Sequence, residues 1–215
     1  MIVTIDGPAG AGKSSAAREL ARRLGFRFLD TGAMYRAVTW AALDRGIDLA
    51  DADALSKLTG QLKVELDGDR VLVDGHDVSQ QIRSFEITTA THYAADNPAV
   101  RDLLCVWQRA IAQGNDVVTE GRDQSTVVFP DAEFKIFLTA QAEERARRRF
   151  DDLTARGENV SFDEVFAKQQ VRDDRDCSRP VGALRKADDA IEVATDGLAP
   201  EEVVSRLEQI VRSRL

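Results

Sequence analysis

Residues 2 to 5, Ile2-Val3-Thr4-Ile5, form a short β-branched run that breaks at Gly7-Pro8, and from Lys13 to Leu24 small or apolar residues recur at helical spacing (Ala16, Ala17, Leu20, Ala21, Leu24). Between them lies Gly7-Pro8-Ala9-Gly10-Ala11-Gly12-Lys13-Ser14, which matches G-x-x-x-x-G-K-[ST] in the strand-to-helix context that the pattern needs. Glycines let successive backbone N–H groups curl around phosphate oxygens at a helix N-terminus, whose partial positive charge favours an anion. The expected ligand is a nucleoside triphosphate held by residues 7 to 14 and by Ser15, with Lys13 reaching the β/γ oxygens. The Ser14 hydroxyl is the expected protein ligand of a Mg²⁺ ion whose other positions are filled by phosphate and water.

Beyond the loop, short apolar runs alternate with helical patterns. Strands are expected at Phe26 to Leu29, Asp116 to Thr119, Phe134 to Leu138 and Ala190 to Ala194. Helices are expected over Gly32 to Arg45, Ala142 to Ala155 and Ser161 to Ser178, and after Pro200. That alternation predicts a three-layer α/β/α unit around a mainly parallel five-stranded sheet. Residues 62 to 82 differ, with short alternating strands punctuated by Gly68 and Gly75 that suit an inserted antiparallel meander. A helical stretch from about Phe85 to Gln113 should be interrupted at Asn97-Pro98, because proline lacks an N–H and has a fixed φ.

The 215 residues suffice for one domain with an insert, and a net charge of -8 argues against a protein that works by general attraction to nucleic acid. Phosphate binding must then come from local arginines, of which Arg36, Arg83, Arg101, Arg122, Arg172, Arg175 and Arg179 are spaced along the chain. Cys105 and Cys177 are far apart and suggest neither a disulfide framework nor a zinc site. No export signal or transmembrane-length apolar stretch is recognisable, so a cytoplasmic location without membrane contact is expected. A switch GTPase would need D-x-x-G and N-K-x-D, and neither string occurs.

Three further blocks carry a resemblance. Leu29-Asp30-Thr31-Gly32-Ala33-Met34-Tyr35-Arg36, then Gly121-Arg122-Asp123 leading to Thr126-Val127-Val128-Phe129-Pro130, and then Arg172-Asp173-x-x-Asp176-x-x-Arg179 resemble bacterial cytidylate kinases, in order and nearly end to end. The resemblance implies a P-loop kinase with a core of about 1–30, 114–147 and 161–215, a monophosphate-binding insert of about 31–113 and a short lid of about 148–160. It implies transfer of a phosphoryl group from ATP to CMP or dCMP by a monomer.

Carried over by position, the resemblance gives Thr31 and Asp123 to the cytosine, with Arg101 and Arg122 beside them, and Tyr35 to the same substrate set. Arg36 and Arg122 would face the acceptor phosphate, Arg172 and Asp176 the ribose, and Arg179 the transferring group. The catalytic set it implies is Lys13, Arg122, Arg172 and Arg179.

Taken without the resemblance, Arg172 and Asp176 at i, i+4 read as a surface ion pair, and Arg145 to Arg149 beside Glu143 and Glu144 read as a solvated charged face. His92 stands where the family often has a small hydroxyl residue, and an isolated helical histidine is more often structural than catalytic. Gln124-Ser125 replaces the apolar-glycine pair usual after Gly-Arg-Asp, and Ser125 would tolerate a positive φ less easily than glycine. Other small-molecule or nucleoside-monophosphate kinases, and a non-catalytic nucleotide-binding regulator, remain open on these residues.

Overall fold

The computed structural model describes residues 1–155 and 157–213; position 156, inside the expected lid, and positions 214 and 215 lie outside the described residues. The chain divides into two compact units, Met1–Phe28 with Asn115–Leu215, and Leu29–Gly114.

The first unit is built on strands β1 (Ile2–Asp6), β6 (Val117–Gly121), β7 (Phe134–Thr139) and β8 (Ile191–Ala194), with β2 (Arg27–Asp30) at the boundary. The five-stranded parallel sheet runs in the order β2-β6-β1-β7-β8. β1 is central, and its register sets Asp6 beside Gly121 on one side and Phe137 on the other. The chain leaves β1 toward one side of the sheet and later crosses to the other. The carboxyl end of β1 is therefore the switch point where α/β sheets bind ligands.

Among the described residues the helices of this unit are α1 (Lys13–Leu24), α6 (Ala142–Ala155), α7 (Phe162–Ser178) and α8 (Pro200–Arg212). α1 begins and ends at glycines in left-handed backbone, Gly12 and Gly25. It buries Ala16, Ala17, Leu20 and Ala21 in the core with Ile5, Ile136 and Leu138 of the sheet and Leu207 of α8, all wholly buried. α7 starts at a capping box between Ser161 and Glu164. Among the described residues, no helix is long and apolar enough to cross a membrane.

The second unit contains α2 (Thr31–Asp44), α3 (Ala52–Thr59), α4 (Phe85–Asp96), α5 (Pro98–Ala112) and an antiparallel sheet of β3 (Val64–Asp67), β4 (Arg70–Val73) and β5 (His76–Asp77). The β4–β5 turn is Asp74-Gly75, both at positive φ (50° and 83°), as a two-residue hairpin demands. The break between α4 and α5 falls at Asn97, whose side chain accepts from the N–H groups of Ala99 and Val100, with Pro98 in the first helical position. α3 is absent from the sequence expectation. Its eight residues bury only Leu55, Leu58 and Thr59, too few positions to establish a periodicity, although Asp51 caps it by accepting from Ala54 N–H.

Candidate active site

The phosphate loop leaves β1 through Gly7 (φ 150°), where a Cβ would lie 1.9 Å from the carbonyl oxygen of Leu138, so only glycine fits. A Cβ on Gly10 (φ 80°) would stand 3.0 Å from the Cβ of Arg145, and Gly12 (φ 84°) turns the chain into α1. Pro8, Ala9 and Ala11 are buried, whereas Gly10, Gly12, Ser14 and Ser15 are exposed along the loop and the first helical turn. Lys13 is buried, and its Nζ donates to the Pro8 carbonyl at 2.8 Å. Desolvation, followed by the neighbouring Arg122 charge, lowers its pKa to about 7. An incoming polyphosphate would supply the negative charge this lysine lacks.

Ser14 Oγ donates to Glu120 Oε1 at 3.0 Å. Glu120 is buried at the end of β6. A hydroxyl and a carboxylate this close, at the mouth of a phosphate loop, are hard oxygen donors that suit a divalent cation completing its shell with phosphate and water. Glu120 was missed in the sequence, yet an acidic residue ending the apolar run Val117-Val118-Thr119 is a readable signal.

Across the same unit the arginines converge on one carboxylate. Arg122 Nε donates to Asp176 Oδ2 at 2.7 Å and Arg179 Nη2 to Asp176 Oδ1 at 2.8 Å. The i, i+4 reading of Arg172 with Asp176 is corrected accordingly, since both Asp176 oxygens carry bonds from Arg122 and Arg179. Burial would raise the Asp176 carboxyl, but Arg122, Arg172 and Arg179 outweigh it and hold its pKa below the usual carboxylate value. Burial likewise opposes the charge on Arg122, and Asp176, Glu120 and Asp6 more than compensate, raising its pKa. Arg172 keeps part of its side chain exposed. Desolvation by the packed surroundings and then the Arg122 charge bring it down to about 10, still cationic at neutral pH. Lys13, Arg122 and Arg172 thus sense one another electrostatically, a repulsion that an anionic ligand relieves.

Arg145 corrects the expectation of a solvated face on α6. It is buried and donates to the carbonyls of Ala140 and Ala9, both at 2.9 Å, and to Asp173 Oδ2 at 2.7 Å. Arg148 is bonded to Glu144 and to the Thr195 carbonyl and hydroxyl, and Arg147 lies over the Phe162 ring.

Asp123 is buried and opens a π turn, Gln124–Val128. The expected strain at Ser125 does not arise, because Asp74 is the sole non-glycine at positive φ among the described residues. Asp6, also missed in the sequence, is wholly buried at the end of β1, and its carboxylate accepts from this turn. Burial pushes its carboxyl up, against the three hydrogen bonds it receives.

The second unit holds Thr31, Tyr35, Arg36 and Arg101. Thr31 is buried at the start of α2, where Asp30 caps by accepting from Ala33 N–H at 2.8 Å. The Arg101 guanidinium lies 5.6 Å above the Tyr35 ring and donates to the Ala95 carbonyl at 3.1 Å. Arg36 approaches Asp30 Oδ1 only at 3.5 Å, and its Nε is buried without a partner. Such an incompletely satisfied guanidinium suits an anion. His92 bonds the Thr89 carbonyl of its own helix and packs on Tyr93, while Arg83 and Arg175 are exposed.

The cytidylate kinase family model matches residues 3–213. The chain belongs to the cytidylate kinase family. It is 52% identical over 212 residues to a cytidylate kinase of Rhodopirellula baltica, covering 99% of this chain and 93% of that one. With the cytidylate kinase of Vibrio cholerae the identity is 47% over 218 residues, covering 100% and 97%. In fold alone it is similar to a shikimate kinase from Bacteroides thetaiotaomicron, with TM-score 0.51 and 14% identity over 99% of this chain and 98% of that one. As a cytidylate kinase family member the chain is a transferase of the nucleoside-monophosphate kinase class.

Proposed function

We propose that the chain transfers the γ-phosphoryl group of ATP to CMP, and to dCMP, giving CDP or dCDP and ADP in a Mg²⁺-dependent reaction of pyrimidine nucleotide metabolism. The observation that carries this reading is the cation group of the first unit: Lys13 in the phosphate loop, electrostatically linked to Arg122 and Arg172, with Arg122 and Arg179 sharing Asp176. The family membership supports the choice of acceptor.

An acceptor phosphate oxygen, largely ionised at neutral pH because its second pKa is about 6, needs no general base. The work left to the protein is placement and charge cancellation. Lys13 would hold the β/γ oxygens, Arg122 and Arg179 would balance charge on the moving phosphoryl group, and Arg36 would meet the acceptor phosphate. Thr31, Tyr35, Arg101 and Asp123 would read the base, and Arg172 and Asp176 the sugar. A Mg²⁺ ion at Ser14 and Glu120 would neutralise β/γ charge. The insert of about 31–113 would carry acceptor binding and a lid of about 148–160 would exclude water, in a cytoplasmic monomer.

A coupled assay with ATP, Mg²⁺ and a panel of CMP, dCMP, UMP, AMP and shikimate tests this. CMP and dCMP should be the preferred acceptors, and Lys13→Ala should remove turnover by about 10²-fold or more while leaving the fold intact. Equal use of AMP or shikimate would overturn the reading.

A further inference from the structure

The first N–H groups of any helical turn have no partner within it, and an Asp at the head of the turn is the residue type that usually satisfies them. Asp123 heads the π turn Gln124–Val128, yet its side chain makes no capping bond there. The capping is done from β1. Asp6 Oδ1 accepts from Gln124 N–H at 2.9 Å, and Oδ2 accepts from Ser125 N–H at 2.7 Å and from Ser125 Oγ–H at 2.5 Å.

Gln124 is held a second time. Its Oε1 accepts from Thr119 Oγ1 at 2.9 Å, and its Cγ lies 2.8 Å from where a Cβ on Gly121 would stand. Gly121 and Gln124 therefore depend on each other, and both are buried. The two-residue segment Arg122-Asp123 is pinned at one end by β6 and at the other by Asp6.

We propose that Asp6 is a positioning residue for the acceptor side of the site, acting through Ser125 and Gln124 on Arg122 and Asp123. Asp6 immediately precedes Gly7, so the phosphate loop and the Arg122-Asp123 segment share one anchor. Gln124-Ser125 then makes a clamp of this turn, the Ser125 hydroxyl adding a hydrogen bond to a carboxylate. The inference rests on reading Arg122 and Asp123 as acceptor contacts.

Steady-state kinetics on Ser125→Ala, Ser125→Thr, Asp6→Asn and the double variant, with ATP-analogue binding measured separately, test it. One hydrogen bond to a charged group lost from a positioned loop should raise KM for CMP roughly tenfold in Ser125→Ala, with nucleotide Kd within about twofold of wild type. Ser125→Thr should recover most of the loss, and the double variant should be no worse than Asp6→Asn, the signature of two residues acting as one unit.

Wild-type KM for CMP in Ser125→Ala, equal losses toward both substrates in that variant, or additive effects in the double variant would each overturn the proposal. Should the wild-type chain fail to use CMP, the functional reading falls while hydrogen exchange still decides the clamp. Asp6→Asn must speed amide exchange at 124–129 in the nucleotide-free protein, and unchanged exchange there overturns it.

Discussion

Arg145 donates to the carbonyl oxygen of Ala9, in the middle of the phosphate loop, and from the same nitrogen to the carboxylate of Asp173 on α7. A buried guanidinium is the tie between the loop and the helix that carries Arg172 and Asp176. Removing it leaves two carbonyls and a carboxylate without their donor, a loss of about 2–4 kcal/mol. For a chain of this size Arg145→Met should lower the melting temperature by roughly 5–15 °C. It should also weaken ATP binding, because the Ala9 carbonyl in the phosphate loop loses its donor. Thermal melts and nucleotide titration check both; an unshifted melt would contradict the tie.

Lys13 is mostly neutral at pH 8, because burial and the Arg122 charge bring its pKa to about 7. A bound polyphosphate favours the charged form and raises that pKa, so binding must take up a proton above pH 7 and take up little at pH 6, where the lysine is already charged. Calorimetry of ATP binding at pH 8 in buffers of different ionisation enthalpy should show the uptake, and Lys13→Met should abolish it.

Asp176→Asn removes the charge that Arg122 and Arg179 share. Loss of kcat/KM for CMP should reach about 10²-fold, since two cations lose their orientation at once. The stability effect has a defined pH window. A depressed carboxyl contributes above its unfolded pKa of about 3.9 and ceases to as pH falls through its folded value. Wild type should therefore melt higher than the variant at pH 7, and the gap should close below about pH 4.

Glu120→Gln keeps an oxygen for the Ser14 hydroxyl but removes the negative charge. The Mg²⁺ concentration for half-maximal turnover should rise by about tenfold with KM for CMP little changed. A Mg²⁺ titration at saturating ATP and CMP reads this directly, and an unaltered midpoint would remove Glu120 from the metal site.

The phosphate loop, the alternation of strands and helices, the Gly75 turn and the Asn97-Pro98 break were all legible, because each depends on residues adjacent in sequence. Glycines take the positive φ of the loop at Gly10 and Gly12, and Pro98 cannot continue a helix. α3 was not legible, since its stability comes from burying Leu55 and Leu58 rather than from a long pattern. The partners of buried charges were equally hidden. Arg172 and Asp176 lie one turn apart, yet Asp176 is bonded to Arg122, 54 residues away.

By itself the sequence determined that a triphosphate loop sits at the end of β1 and which arginines are available to meet phosphate. Only the tertiary structure decided which carboxylate each arginine serves. It alone turned Asp6 and Glu120 from unremarked residues, and Arg145 from a member of a solvated face, into anchors of the site, with Asp6 capping a turn 118 residues away. The physical reason is that a charge buried without a partner is too costly to keep. Each must find a counter-charge or a ring of donors, and which one lies within reach is set by how the strands and helices pack.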